Sequence, residues 1–462
     1  MDTDLFNNSR DETLISRRPW YVLAAALFVL SAITQQPLAF LAALFAFVLG
    51  IVPEIWYRYA LRNLVIRQQV SQRRVFFGET ITLSISVENQ KLVPLPWLEV
   101  EDEVPSRLTL LTGRAQPSYK VNRAVLVNTF SLWAFQRVTR RHRLRCPARG
   151  TYSFGPATIR SGDPFGWLMR EEQVPARETL LVYPLIAPLE SFGLPARHPF
   201  GERATPRRLL EDPLRVAGVR EYMLGDDPRR IHWKATARAG TLRSKIYEPS
   251  SQYRLLILLD INTYPKSWMG PDPEIQELTI SAAASLAMWA LDEGYAVGLV
   301  ANSLMIGLSG EGAIASDEAT SEAMITAQAF IHRVRVPLAS DRGQRERVLS
   351  ALGRLVPYFG SAMDTLIEIE RVTLPIGTTV VLVSAATALH EATVESLVDL
   401  RTRGAAVYLA LTGDADSKVG ADTYDLPVHQ LGGREVWHEL VSTVGDETSD
   451  NLGRSATGLY LD

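Results

Sequence analysis

The sequence contains one cysteine, Cys146, and seven histidines in 462 residues. A lone cysteine excludes an intramolecular disulfide and fits a reducing compartment. The chain also lacks a GxxxxGK[ST] phosphate loop, a GxGxxG turn after a strand, a CxxC pair and an HExxH motif. No acid, base and nucleophile come together in a pattern that would indicate a catalytic site. These absences favour a non-enzymatic protein.

One stretch lacks charge altogether. The 35 residues of Pro19–Pro53 contain no Asp, Glu, Lys, Arg or His. A single helix of that length would measure about 52 Å, whereas a bilayer core is roughly 30 Å thick. Because three polar residues and Pro37 interrupt the run at 34–37, we predict two transmembrane helices, at 19–36 and 37–56. Residues 1–18 would precede them as a short cytoplasmic segment.

Arginines stand on both sides of the apolar run. Arg17 and Arg18 precede it, and Arg58, Arg62 and Arg67 follow it. The positive-inside rule therefore places both ends of the predicted hairpin, and the bulk of the chain after it, in the cytoplasm. A cleaved signal peptide would need a small-residue cleavage site after the first apolar segment, and the sequence offers none there.

Charge is distributed unevenly along the chain. Cationic residues exceed acidic ones by 11 in residues 1–250, and acidic residues exceed cationic ones by 14 in residues 251–462. Anionic lipid headgroups would attract the basic half and repel the acidic half. Alternatively, each half keeps itself soluble, or the two halves attract each other.

Alternating residues after the apolar run predict a β domain. Ile81, Leu83, Ile85 and Val87 alternate with polar residues, as in a strand with one buried face. Strands are predicted at 64–70, 80–88, 97–102, 121–134, 138–146, 150–159 and 178–183. Short strands at this spacing indicate an immunoglobulin-like β-sandwich over residues 62–185.

The strand predicted at 138–146 is strongly basic. Arg141, Arg143 and Arg145 would project from one side of it. A solvated basic face and a phosphate-binding face are both consistent with this pattern. The absence of interleaved aromatic residues argues against single-stranded nucleic acid, and we expect no nucleic-acid partner.

The second half of the chain predicts a different architecture. Residues 186–253 are interpreted as a connecting segment, irregular over 186–224. From residue 254 onward, continuous apolar strands alternate with helices, which indicates a doubly wound α/β domain over 254–445. Its helices are predicted near 273–293, 317–332, 344–356, 363–372 and 390–403. Residues 446–462 are predicted to form a flexible tail.

An aspartate ends the first strand of this α/β domain. Asp260 follows Leu255–Leu259, at the position where α/β domains bind ligands. In von Willebrand factor A-like domains this position opens a D-x-S-x-S motif that binds Mg²⁺ through oxygen ligands. Here Asn262 and Thr365 are candidate ligands, but Tyr264 replaces a hydroxyl and no carboxylate follows the later strand. We therefore expect a degenerate site and no cofactor, with Mg²⁺ as the alternative.

The connecting segment contains a second candidate site. A short helix is predicted here, with Asp227 as its N-cap, Pro228 as its first residue and Gly240 just past its end. Arg230, Lys234 and Arg238 would share one face of this helix. Acidic groups within the chain, such as Asp226, would neutralise that face. A phosphate or an acidic partner would do so equally well.

This segment resembles a bacterial family known as domain of unknown function 58. The residues that carry the resemblance include Gly225, Asp226, Arg230, Trp233, Lys234, Arg238, Lys245 and Glu248. We expect them to form a binding or interdomain site, with Trp233 packed in an interdomain core. Shorter stretches, such as Phe77-Gly78-Glu79 and Asp163-Pro164-Phe165-Gly166, extend the resemblance over most of the chain.

The resemblance implies a partner and a working mode. Such proteins carry a von Willebrand factor A-like domain and are typically encoded beside a MoxR-type AAA+ ATPase, and often near transglutaminase-like membrane proteins. Other membrane proteins of the same operon are therefore further candidate partners. We therefore expect a non-enzymatic adaptor in the bacterial cytoplasmic membrane, acting with that ATPase in chaperone-like maturation. The alternative is a metal-assisted hydrolase of phosphate-containing envelope precursors that uses Asp260, Asn262 and Thr365.

Overall fold

The computed structural model describes residues 18–163, 169–175, 178–195, 199, 211–223, 226–249, 253–266, 269–305, 333–359, 361–413 and 425–444. Within them, the residues before Leu185 form one compact unit and those from Leu185 onward form another. The predicted helix at 317–332 and the predicted tail at 446–462 lie outside the described residues, as do residues 1–17.

The helices are α1 (Arg18–Thr34), α2 (Pro37–Tyr59), α3 (Trp233–Ala239), α4 (Pro273–Asp292), α5 (Gln344–Arg354), α6 (Met363–Thr373), α7 (Glu391–Thr402) and α8 (434–444). Short 3-10 helices cover Leu189–Phe192, Pro228–Arg230 and Ala386–Ala388.

The strands of the first unit are β1 (Leu64–Val70), β2 (Arg74–Val75), β3 (Thr80–Asn89), β4 (Leu95–Pro105), β5 (Thr109–Leu110), β6 (Ala115–Pro117), β7 (Arg123–Leu132), β8 (Arg137–Arg145), β9 (Gly150–Phe154), β10 (Ala157–Gly162), β11 (Met169–Val174) and β12 (Glu178–Val182). The strands of the second unit are β13 (Glu211–Glu221), β14 (Arg243–Pro249), β15 (Arg254–Leu259), β16 (Ala296–Ala301), β17 (Ser303–Met305), β18 (Val334–Ala339), β19 (Leu355–Phe359), β20 (Thr379–Ala385), β21 (Ala406–Thr412) and β22 (Val428–Gln430).

Helices α1 and α2 form an apolar hairpin. Gln35 adopts a left-handed conformation (φ 51°) between them, and Pro37 begins α2. The Tyr21 hydroxyl donates to the Gly50 carbonyl at 3.4 Å, and the helices also contact each other through the Phe28 and Phe40 rings. Within the described residues, α2 is the one helix long and apolar enough to cross a membrane. The crossing by both helices stays a prediction.

Two antiparallel sheets enclose the core of the first unit. Their strand orders are β1-β3-β8-β5 and β11-β10-β4-β7-β6. The predicted alternation in β3 is confirmed, because Ile81, Leu83, Ile85 and Val87 are all buried in one cluster with side chains of β4 and β7. Each such side chain stabilises the fold by roughly 1.5–3 kcal/mol. The layered β domain is thus present, and its immunoglobulin-like type stays a prediction.

One predicted strand of this unit is divided. The sequence predicts a single strand over 150–159, whereas the structure has β9 and β10 on either side of Gly155-Pro156. Proline lacks the N–H group that a ladder needs, so the strand breaks there. β10 stays in the five-stranded sheet, while β9 pairs with β12 in a small third sheet.

The end of α2 is bound to the turn between β3 and β4. The Lys91 ammonium donates to the carbonyls of Ala60 at 2.7 Å and Arg62 at 2.8 Å. The Trp56 indole donates to the Pro94 carbonyl at 2.9 Å. Burial lowers the pKa of Lys91 to about 8, which leaves it charged at neutral pH. A cation at this position also complements the negative end of the helix dipole.

A buried carboxyl group joins the two sheets. The Gln68 amide of β1 donates to Asp102 Oδ2 of β4 at 2.5 Å. Burial raises the pKa of Asp102 to about 7, with a smaller upward contribution from Glu103, while the bond from Gln68 and the charge of Arg123 oppose it. The protonated form of Asp102 is therefore favoured by folding.

The second unit is built on a six-stranded sheet of order β18-β16-β15-β20-β21-β22. Neighbouring strands are parallel except β18, which runs antiparallel at one edge. Leu256 and Leu258 of β15 pack with side chains of α6 and α7, while α4 packs against the same sheet and against α5. The mixed α/β domain predicted from the sequence is thus present, and its von Willebrand factor A-like type stays a prediction.

Part of the predicted connecting segment is ordered structure. The sequence predicts an irregular connection over 186–224, but β13 and β14 form an antiparallel hairpin. Two register shifts, between Glu211 and Val216 and between Val216 and Gly218, interrupt the pairing. Bulges of this kind break the alternation of apolar and polar residues by which a strand is recognised.

The junction at Lys91 yields a stability prediction. Lys91→Met removes both hydrogen bonds and leaves two carbonyls without their donor, so we expect a loss of about 3 kcal/mol in the free energy of unfolding. Denaturant titration of the full chain in detergent micelles measures it. Lys120→Met is the matched control, because Lys120 is exposed and pairs with Glu103 at the surface. Equal losses in the two variants would contradict the junction's role.

The pKa of Asp102 yields a pH prediction. Because the folded-state pKa is raised from 3.8 to about 7, the free energy of unfolding should fall as pH rises through that interval, by at most about 1.4 kcal/mol per pH unit. Asp102→Asn should abolish this slope and be more stable than the parent at pH 8. Unfolding titrations between pH 5 and 8, about the range where most proteins are maximally stable, test this.

The control for Asp102→Asn is Glu172→Gln, which neutralises an exposed carboxylate of the same unit. A parent protein whose stability does not depend on pH in this range, or an unchanged slope in Asp102→Asn, would contradict the assignment.

Candidate functional site

The sheet of the second unit has a topological switch point between β15 and β20. From β15 the chain builds outward to β16 and β18 on one side, then returns to β20, β21 and β22 on the other. Open α/β sheets bind ligands outside the carboxyl ends of the strands at this point. Asp260 follows β15 there, and its N–H donates to the Val383 carbonyl of β20 at 2.9 Å.

Asp260 is held by hydrogen bonds beneath this edge. It is buried, and its Oδ1 accepts from Asn302 Nδ2 at 2.7 Å and from the Asn262 N–H at 3.0 Å. Asn302 in turn accepts the Ile261 N–H through Oδ1 at 2.8 Å. Burial raises the pKa of Asp260, while the hydrogen bonds from Asn262 and Asn302 oppose the shift.

Asn302 was missed by the sequence analysis. It directly follows β16, as Asp260 directly follows β15. A polar residue at the end of each of two neighbouring parallel strands is the signal that would have identified the pair, because the ends of such strands meet at one edge. The amide fixes both the aspartate side chain and the backbone that leaves β15.

A cleft of about 560 Å³ opens above Asp260. Helices α6 and α7 begin at its wall, and their N-cap residues, Ala362 and His390, make no side-chain capping bond. Two acidic residues in the first turns of these helices, Asp364 and Glu391, are part of the cleft lining. The lining comprises Asp260, Asn262, Tyr264, Pro265, Ser361, Ala362, Met363, Asp364, His390, Glu391, Ala392 and Thr393.

The predicted metal ligands are only partly brought together. Asp260 and Asn262 meet at the cleft, whereas Thr365 is an exposed residue of α6 outside the cleft lining. The von Willebrand factor A-like motif would require a carboxylate after Ala385, but Ala385 packs in a small apolar cluster with Ile275. Across the residues that the structure describes, no three His, Cys, Asp or Glu side chains are grouped so as to hold a metal ion. The Mg²⁺ site stays a prediction.

In the part of the connecting segment that carries the family resemblance, Asp226 is the acceptor of several hydrogen bonds. Its Oδ1 accepts from Arg220 Nη2 at 2.6 Å, and its Oδ2 accepts the Met223 N–H at 3.1 Å. The Tyr222 hydroxyl donates to the Asp226 carbonyl at 2.9 Å. The Met223 N–H, and next the Arg220 side chain, lower the pKa of Asp226. Asp226 thus forms an ion pair with Arg220, which the sequence analysis did not name, and the charge of Arg230, which it did name, also lowers the pKa of Asp226.

The single helix predicted in this segment is wrong. A 3-10 turn at Pro228–Arg230 is followed by a break, and α3 begins only at Trp233. The break arises because Ile231 forms a β-bridge with Ser244, and His232 then caps α3 by accepting the Ala235 N–H. The predicted helical face shared by Arg230, Lys234 and Arg238 therefore does not form, since Arg230 precedes the helix.

The remaining motif residues are distributed along the β13–β14 hairpin and α3. Trp233 is 70% exposed, so it is not part of a buried core among the described residues of its own unit, and its packing in an interdomain core stays a prediction. Lys234 and Arg238 are exposed on α3, and Lys245 is partly buried on β14. Glu248 belongs to β14, and Gly225 lies outside the described residues. Their binding or interdomain role stays a prediction.

Taken together, the chain combines an apolar helical hairpin, a layered β domain and an α/β domain with an acid-lined cleft. Residues 218–309, which span α3, Asp260 and Asn302, match the family model described as "Protein of unknown function DUF58". The family resemblance predicted from the motif is thereby confirmed over this segment.

A curated bacterial protein is similar to part of this chain. The chain is 24% identical over 203 residues to "Uncharacterized protein YeaD" of Bacillus subtilis (strain 168), which covers 44% of this chain and 49% of that protein. It thus spans about half the length of this curated relative.

Solved structures are similar at low TM-scores. The "conserved hypothetical protein BatB" of Bacteroides thetaiotaomicron has a TM-score of 0.26 at 12% identity, covering 42% of this chain and 99% of that one. The CARDB domain of the PF1109 protein of Pyrococcus furiosus has a TM-score of 0.18 at 13% identity, covering 26% and 91%. TM-scores this low define neither a shared fold nor a shared function.

The pair formed by Asp260 and Asn302 yields a stability prediction. Asn302→Ala leaves the Ile261 N–H and the Asp260 carboxylate without their partner in a buried setting, so we expect a loss of about 2–4 kcal/mol. Thr365→Ala is the control, because Thr365 is an exposed residue of α6 outside the cleft lining. Thermal and denaturant unfolding of both variants measure the difference, and an Asn302→Ala protein no less stable than the control would contradict the pair's role.

Proposed function

We propose that this protein is a membrane-anchored, non-enzymatic adaptor whose α/β domain binds a partner protein at the cytoplasmic surface. Helices α1 and α2 would both cross the bacterial cytoplasmic membrane and leave the remainder of the chain in the cytoplasm. The length and apolar composition of α2 and the arginines on both sides of the hairpin support this arrangement.

The cleft above Asp260 is the observation that carries the proposal. It lies at the switch point of the sheet, and its lining includes Asp364 and Glu391 from the first turns of α6 and α7. Carboxylates in such a position attract and orient a cationic side chain of a partner. The acidic excess of residues 251–462 adds a longer-range attraction for a basic surface.

The partner we propose is a MoxR-type AAA+ ATPase, as the family resemblance implies. The sequence has no phosphate loop of its own, so a separate ATPase would supply the energy for chaperone-like maturation of envelope or enzyme complexes. The α/β domain would then serve as a von Willebrand factor A-like binding module. The alternative hydrolase needs Thr365 beside Asp260, and Thr365 lies outside the cleft lining.

Binding of the ATPase tests this function directly. The full chain, reconstituted in lipid nanodiscs, is mixed with the purified MoxR-type ATPase of the same bacterium in the presence of ATP, of ADP and without nucleotide. We expect binding that depends on nucleotide and weakens with increasing salt, because charged groups contribute to it. Absence of binding under all three conditions contradicts the proposed partner.

A double variant tests the cleft itself. Asp364→Asn combined with Glu391→Gln removes two carboxylates from the cleft, and we expect the affinity to fall about 10-fold or more, equivalent to about 1.4 kcal/mol. Glu395→Gln is the matched control, because Glu395 is an exposed carboxylate of α7 outside the cleft lining. Equal affinities for the double variant and the control would place the ATPase elsewhere on the protein.

A further inference from the structure

The first unit exposes three large apolar side chains on two neighbouring turns. Leu92, in the turn between β3 and β4, is 79% exposed. Trp133 and Phe135, in the turn between β7 and β8, are 74% and 68% exposed. We call these three residues the turn patch. Single exposed apolar residues are common on proteins, but an exposed Leu, Trp and Phe on adjacent turns indicate a contact surface.

The turn patch is held in place by a buried asparagine. Asn89 Nδ2 donates to the carbonyl of Val93 in the first turn at 3.0 Å and to that of Trp133 in the second at 2.9 Å. Asn89 itself is fully buried. Its backbone N–H donates to the Gln136 carbonyl, which adds a further bond between the turns. The two turns therefore present their side chains in a fixed relation.

Phe135 occupies a strained conformation in this arrangement. Its φ of 55° lies in the left-handed region, where a side chain costs roughly 1–2 kcal/mol. A large aromatic residue gains nothing from such a conformation in water, since its ring is mostly exposed. Displaying the ring at the tip of the turn is a reason for the cost.

The patch lies beside the end of the apolar hairpin. The first turn includes Lys91, which donates to the carbonyls at the end of α2, and the Gln90 N–H donates to the Asn63 carbonyl at 3.0 Å. Tyr59, at the last residue of α2, is exposed, and the Arg62 guanidinium lies 5.5 Å from the centre of its ring. Aromatic and basic residues at the end of an apolar helix mark the membrane–water boundary.

We propose that the turn patch inserts into the headgroup boundary of the leaflet at which α2 ends, and so holds the β domain against the membrane. This inference rests on the proposed membrane anchoring of α2. Tryptophan, phenylalanine and leucine gain free energy by leaving water for this boundary, and neighbouring arginines add attraction to anionic lipid headgroups. The bonds from Lys91 would set the position of the patch relative to α2.

The opposite end of the same domain offers an internal control. Val121 is exposed in the turn before β7, while Trp133 directly follows that strand. The ten residues of β7 separate the two ends, by roughly 33 Å at the rise of a strand. An exposed apolar residue there should remain in water if the turn patch contacts lipid.

Site-specific labelling tests the inference on the full chain. Leu92→Cys and Phe135→Cys are made separately and labelled with an environment-sensitive maleimide dye, with Val121→Cys as the control. Cys146 stays in place, because it is buried and burial raises the pKa of its thiol to about 12, which makes it unreactive. The labelled proteins are placed in nanodiscs of phosphatidylethanolamine and phosphatidylglycerol, with and without brominated acyl chains.

The expected result is loss of fluorescence in brominated lipid for labels at 92 and 135, with no loss at 121. A label at Phe45→Cys, on the exposed face of α2, reports separately on the anchor. Quenching at 45 without quenching at 92 and 135 overturns the patch while leaving the anchor intact. Absence of quenching at 45 overturns the anchor, and the patch with it.

One further outcome distinguishes a protein partner from lipid. Labels at 92 and 135 that are shielded from aqueous iodide but unaffected by brominated lipid are covered by another protein surface, and that result also overturns the inference. Because positions 92 and 135 lie on different turns, a local folding defect in one variant leaves the other as an independent measurement.

Discussion

The bonds from Lys91 to the end of α2 are the interaction on which the arrangement of the first unit depends. They join an apolar helix to the turn that follows β3, and the Trp56 indole reinforces the same junction from the helix side. A flexible linker here would let the β domain move freely beside the hairpin. With the junction made, the exposed turns acquire a defined position next to the helix end, and any membrane that holds α2 also orients the β domain.

The second unit depends on a buried polar pair in a similar way. Asp260 and Asn302 follow two neighbouring parallel strands and hydrogen-bond each other in a buried setting. Their bonds fix the backbone that forms the floor of the cleft, while the mouth is formed by the beginnings of α6 and α7. Binding at this site would therefore use a preformed surface, which reduces the entropy lost on association.

Local patterns predicted most of the elements, and non-local pairing explains what they missed. The sequence analysis predicted β3 from the alternation of Ile81 and Leu83, and β15 from its continuous apolar run. Both patterns are local and typical of strands, and both predictions were correct. The motif helix was predicted as continuous because the cap signals around Pro228 are local, whereas the bridge of Ile231 to Ser244 that interrupts it is not. At the cleft, Asp260 was recognisable by its place after a strand, but its partner Asn302 follows a different strand about 40 residues later in the chain. The exposure of Trp233 depends on packing that residue spacing does not encode.

Side-specific labelling of one exposed position tests the central claim that α1 and α2 anchor the chain and leave its domains in the cytoplasm. Tyr119→Cys places a thiol on an exposed turn of the β domain, and the native Cys146 is buried. A membrane-impermeant maleimide, applied to intact cells and to inverted membrane vesicles, reports on which side of the membrane this thiol lies. The account predicts labelling of the inverted vesicles and none of intact cells. Labelling of intact cells, or recovery of the unlabelled protein in the soluble fraction, would contradict it.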